Sequence, residues 1–135
     1  MTDDRIELIR YRLSKSEDTY NDALYLAEGK KWNAATNRLY YSAYYSVHAL
    51  LLCINLSPRT HKGTRTLFHQ HFLSTNMIPK EFGDLYTLIF EARQEGDYVD
   101  FAEQNEESVS FFISNVRLFN DKIKNLISNE FLSRF

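Results

Sequence analysis

Apolar residues recur every three or four positions along most of the chain, and no stretch alternates apolar with polar over the length of a strand. The run that organises the rest is Trp32 to Asn55, which contains no Pro or Gly. As a helix it spans about 35 Å at about 1.5 Å per residue. Leu39, Ala43, Ser46/Val47, Leu50 and Ile54 form one apolar stripe along it, and Tyr40, Tyr44, Val47 and Leu51 form a second beside the first. Two adjacent stripes predict a central helix packed on more than one side. Small residues (Ala34, Ala35, Ser42, Ala43, Ser46, Ala49) allow neighbours to approach closely. Arg38, Tyr41, Tyr45 and His48 are left as polar groups too bulky for packing alone to explain.

The rest of the chain can be placed around that helix. Thr2 caps a first amphipathic helix with Asp3 and Asp4 in its first turn, and this helix runs to Glu28 with Gly29 just past its end. Lys30 and Lys31 make a turn short enough for an antiparallel helical hairpin. Pro58 and Gly63 break the chain after the central helix, and Thr64 is expected to cap a short third helix holding Leu67, Phe68, Phe72 and Leu73. Ser74-Thr75-Asn76 ends that helix. Pro79 opens a fourth, which is expected to stop at Gly96, with 97–101 irregular. Glu103, Glu106 and Glu107 load the start of a last helix that keeps its period nearly to Phe135. The expected fold is all-α: an up-and-down antiparallel four-helix bundle with one additional short helix, residues 1–135 forming a single domain.

Bulk properties narrow the class. A chain of 135 residues, 44% hydrophobic with a net charge of −2, suits a soluble globular protein. That charge argues against strong non-specific binding of long nucleic acid, but leaves room for a local basic patch. The aromatic fraction of 15%, nearly all Tyr and Phe, implies a core, an oligomer interface or a stacking surface for bases. A single Cys53 permits no internal disulfide, the amino terminus does not resemble a secretory leader, and no apolar run is long enough to span a membrane. A cytoplasmic home is the expectation.

Three constellations carry candidate chemistry. Arg38, Tyr41, Tyr45 and His48 share a helix face that suits phosphate and base contacts, although the same residue types are enriched at homodimer interfaces and that reading leads. Both hold if a ligand sits in a dimer groove. His61-Lys62-Gly63, with Arg59 and Arg65, forms a small basic loop at a helix start that could hold a phosphate or simply be solvated. Its spacing is not that of a glycine-rich nucleotide loop. Arg93, Asp97 and Tyr98 gather at the end of the fourth helix, either as a structural ion pair or as an Arg held for a phosphate with a Tyr to orient it. His69 and His71 point to different sides of a helix, so no metal is called for, and no cofactor either.

Taken in order, Ala35-Thr36-Asn37-Arg38-Leu39-Tyr40-Tyr41-Ser42-Ala43-Tyr44, His61-Lys62-Gly63 with Phe68, and Arg93 with Asp97-Tyr98 resemble the HEPN domain proteins of bacteria and archaea. The resemblance implies a small helical bundle, a homodimer, and a minimal nucleotidyltransferase as partner in a toxin–antitoxin or nucleotide-transfer system. It also implies binding of nucleotide or RNA. Toxin members are metal-independent endoribonucleases whose motif is an Arg followed, after four to six intervening residues, by a His. Here Arg93 is followed by Asp97 and Tyr98 with no His downstream, while Arg65 and His71 keep the spacing on the short third helix. The expectation is therefore a HEPN-type nucleotide- or RNA-binding component of such a pair. An endoribonuclease using Arg93 with Asp97 or His48, or a dimeric interaction module, are the alternatives.

Overall fold

The computed structural model describes residues 1–100 and 102–132, and its helices follow directly from the apolar periodicity. They are α1 (Asp3–Glu28), α2 (Trp32–Cys53), α3 (His61–Phe68), α4 (Lys80–Tyr98) and α5 (Glu106–Leu126). Single π turns extend α3 over His69–Leu73 and α5 over Ile127–Phe131. Among the described residues there is no strand. The four long helices form an up-and-down bundle with α3 as the short extra one, and α2 touches each of the other four. Leu39, Tyr40, Ala43, Val47, Leu50 and Leu51 of α2 are all at most 1% exposed, as a helix with two apolar stripes requires.

The first helix ends at Glu28 with Gly29 just past it, as expected, and three other boundaries differ from the sequence expectation, each for a local reason. Gly29 keeps φ at −82°, and the left-handed residue that reverses the chain is Lys30, at φ 58°. The third helix is capped by Thr60, whose hydroxyl accepts the Gly63 amide at 2.9 Å, so Thr64 lies inside it. A Cβ at Gly63 would stand 2.8 Å from that hydroxyl, which makes the glycine part of the cap. The fourth helix passes through Gly96 to Tyr98, because Gly96 is where the helix meets Asn33 of α2. The Asn33 amide donates to the Gly96 and Ala102 carbonyls, and its oxygen accepts the Gln104 amide at 2.7 Å. Asp97 and Tyr98 are therefore helical, not irregular. The last helix starts after Asn105, which forms a capping box with Ser108, so Glu103 precedes it. Phe101 and the expected last turn at 133–135 lie outside the described residues.

Small residues set the closeness of α1, α2 and α5. The Ser16 hydroxyl donates to the Ser42 carbonyl at 2.7 Å, and the Ser42 hydroxyl returns a bond to the Ser16 carbonyl at 2.8 Å. Asn120 of α5 closes the ring, accepting from Ser46 and donating to the Ser42 hydroxyl, both at 2.9 Å. All four residues are buried. Such a seam is stable only while every member is paired. Asn120→Ala removes one partner from each of two buried hydroxyls and is expected to lower unfolding free energy by about 2 kcal/mol in urea titration; an unchanged midpoint would show that the seam contributes nothing. Lys30→Gly, by contrast, is expected to stabilise by about 1 kcal/mol, since it removes an L side chain from the left-handed region.

Candidate functional site

Because α4 continues through Gly96, Asp97 comes one turn after Arg93 on the same face, opposite the middle of α2. Arg93 is only 5% exposed. Its guanidinium carbon lies 5.0 Å from the Tyr40 ring centre, 5.7 Å from Tyr41, 5.6 Å from Phe90 and 5.7 Å from Tyr98. Among the described residues its one ion-pair partner is Asp97, at 3.7 Å, longer than a charge-assisted hydrogen bond. The Nε of Arg93 is buried with no hydrogen-bond partner. Four π faces offset part of the cost of burying this charge, and the remainder is left open to a stronger anion.

Asp97 is itself shared. Its Oδ2 accepts the Asn37 amide at 2.9 Å, and the Asn37 oxygen accepts both Nε and Nη2 of Arg38, at 3.0 and 2.7 Å. Arg38 stacks over Tyr41 at 5.2 Å. Two guanidiniums thus converge through one carboxylate and one amide, which leaves the cluster net positive. Tyr98, 73% exposed, places its ring at the outer side of Arg93.

The imidazole of His61, the first residue of α3, packs against three of the same groups. Its ring centre lies 5.5 Å from Tyr40, 5.8 Å from Tyr41 and 6.1 Å from Phe90. Nδ1 is 2.7 Å from the Tyr40 hydroxyl, and Nε2 is 3.5 Å from that of Tyr41. Burial, and then the charge of Arg93, hold the imidazole below its ordinary pKa, so it is neutral at pH 7. Burial also pushes the Tyr40 phenol above its usual range, so its proton stays on.

This arrangement of an enclosed Arg, an acid one turn later and a Tyr-rich central helix occurs in a chain that the HEPN domain family matches over residues 9–126. The chain belongs to that family. It is 35% identical over 123 residues to the "UPF0332 protein" of Thermotoga maritima, covering 91% of this chain and 93% of that one. It is 31% identical over 128 residues to the "Putative toxin MJ0142" of Methanocaldococcus jannaschii, covering 94% of this chain and 82% of that one. A second protein of that organism, "Putative toxin MJ0605", is 31% identical over 118 residues, 87% of each chain.

In this HEPN chain the candidate residues do not all meet. Arg38, Tyr41, His61, Arg93, Asp97 and Tyr98 form one cluster. Tyr45 lies beyond Tyr41, at 6.2 Å between ring centres, and carries Lys15 of α1 at 4.8 Å above its ring. Lys62 is exposed at the start of α3. His48 turns inward and is 7% exposed, with Nε2 3.0 Å from the Thr64 hydroxyl. It is part of the α2–α3 contact, not of the open face. Asn37, Tyr40 and Phe90 were missed by sequence reasoning. Asn37 stands beside Arg38 with no charge to mark it, and the other two read as core.

Burial, with smaller contributions from the charges of Arg12 and His61, pushes the His48 pKa down to about 4. The unfolded chain takes a proton there near pH 6.5, before the folded chain does, so the stability His48 provides is complete above pH 6.5 and drains away as pH falls to 4. The loss is roughly 3 kcal/mol across that window. His48→Gln is expected to flatten this part of the stability–pH curve measured by denaturant titration; two parallel curves would contradict the assignment.

Proposed function

We propose that this protein is an RNA-binding component of a toxin–antitoxin pair, holding an RNA phosphate at Arg93 and working with a minimal nucleotidyltransferase as partner. The observation that carries the reading is the Arg93 guanidinium, enclosed by rings and matched by a single carboxylate beyond hydrogen-bond distance. Phosphate oxygens accept two parallel guanidinium hydrogen bonds, so a phosphodiester outcompetes such a carboxylate. Arg38 adds a second positive group, and Tyr41 and Tyr98 offer faces for bases. The toxin names of two relatives support the setting. Tyr45 and the exposed Tyr11 on either side of Lys15 suit a homodimer contact. Cytoplasmic action fits the lone Cys53, and among the described residues no helix is long and apolar enough to cross a membrane.

A second reading, a metal-independent endoribonuclease, is favoured by the neutral His61 beside Arg93. With Nδ1–H donated to the Tyr40 oxygen, Nε2 keeps its lone pair beside the Tyr41 hydroxyl. It can take the proton of a ribose 2′-hydroxyl as that oxygen bonds to phosphorus. The 5′-oxygen then leaves with a proton from solvent, and the product is a cyclic phosphate. Arg93 stabilises the charge on phosphorus. The imidazole that the family supplies a few residues after its Arg is supplied here from α3.

The test is fluorescence anisotropy of labelled single-stranded RNA in chelator, followed by gel analysis of the same samples. Arg93→Gln is expected to weaken binding at least tenfold, and unchanged binding would overturn the phosphate site. If the wild type cuts the RNA, His61→Gln is expected to retain binding and lose cleavage. Cleavage that survives His61→Gln would move proton transfer to Asp97.

A further inference from the structure

A cleft between α3 and α4, about 580 Å³ in volume, lies outside the Arg93 site and within the size range of small-molecule and nucleotide pockets. Phe68 and Tyr86, at 0% and 1% exposure, form its floor. Arg65, His69 and Lys80 stand around it against one acid, Asp84. Neither Arg65 nor Lys80 takes part in an ion pair among the described residues. Gly83 lets Leu73 lie directly on α4 along the cleft, where a Cβ would collide with it. An apolar floor and a positive rim together suit a nucleotide.

The position of Arg65 connects this cleft to the Arg93 site. Its guanidinium lies 5.2 Å from the centre of the Phe90 ring, and that of Arg93 lies 5.6 Å from the same centre. The two cations can be no further apart than the sum of those distances, a spacing that neighbouring phosphates of one strand can bridge. His61 touches the same ring. We propose that the α3–α4 cleft is a second nucleotide subsite, and that a single RNA strand crosses Phe90 from Arg93 to Arg65 with the flanking base in that cleft. The proposal rests on the RNA reading of the Arg93 site. It assigns Arg65 and Lys80 to phosphate contact and the cleft to choice of the neighbouring base.

The experiment compares adenosine 5′-monophosphate with an eight-nucleotide single-stranded RNA carrying 2′-O-methyl groups, which prevent attack by the 2′-oxygen. Affinities are measured over a salt series for the wild type, Arg93→Gln, Lys80→Gln and the double variant Arg65→Gln/Lys80→Gln. Circular dichroism melting confirms folding, and the exposed Lys80 keeps a single variant that leaves the Phe90 stack intact. The double variant is expected to bind the octanucleotide at least tenfold more weakly. Its salt slope is expected to fall by about 0.7 for each phosphate that is no longer neutralised, and monophosphate binding is expected to weaken in Arg93→Gln as well as in the double variant. Octanucleotide binding that survives the double variant but not Arg93→Gln would overturn the subsite and leave the RNA reading intact. No octanucleotide binding by the wild type would overturn both. Monophosphate binding abolished in Arg65→Gln/Lys80→Gln and kept in Arg93→Gln would make the cleft a stand-alone nucleotide site and overturn the crossing strand.

Discussion

A guanidinium 5% exposed to solvent, facing one carboxylate at 3.7 Å, is the constraint on which the rest of this structure turns. Removing such a charge from water costs several kcal/mol unless it is paired or surrounded by compensating groups. The compensation comes from rings on two helices: Tyr40 and Tyr41 of α2, and Phe90 one turn earlier and Tyr98 at the end of α4. Each ring contributes about 0.5–2 kcal/mol, and together they hold the charge without neutralising it. A second charged partner at bonding distance would satisfy Arg93 and leave it nothing to offer a ligand.

Holding those rings in place is the work of α2. One of its sides is built from small residues, so that α1 and α5 come close enough for serine and asparagine side chains to close a polar ring. Its other side carries Tyr40, Tyr41 and Tyr44, which meet α3 and α4 through His61, Tyr86 and Phe90. Close packing on one side and bulky rings on the other leave the open face between α2, α3 and α4. The α4 end is fixed to α2 by Asn33, which binds the Gly96 carbonyl and the chain just beyond. That anchor places Asp97, and through it Asn37 and Arg38, around Arg93.

Most of the fold was legible in the sequence, because α1, α2, α4 and α5 carry long apolar periods that no competing pattern obscures. The errors came where a single residue answers to a distant partner. Gly96 looked like a stop, but it is a contact point for Asn33, sixty-three positions earlier, and the helix runs on through it. Thr64 looked like a cap, but Thr60 takes that role and Thr64 is free to pair with His48. The site was legible in part. Arg38, Tyr41, His61, Arg93, Asp97 and Tyr98 were each singled out, but as separate motifs on three helices. Periodicity within one helix holds no information about which face of another it meets. The pairing of His61 with Tyr40 therefore became visible only in three dimensions, as did the inward turn of His48.

The central claim is that Arg93 is enclosed, ring-stacked and still available to an anion, and its side-chain Nε–H reports all three directly. In a ¹H–¹⁵N spectrum of the arginine Nε region, assigned by Arg93→Gln, this proton should be displaced upfield by the surrounding rings, exchange slowly with water, and shift when the 2′-O-methyl RNA is added. A resonance at the position of solvent arginines, unmoved by saturating RNA, would contradict the account.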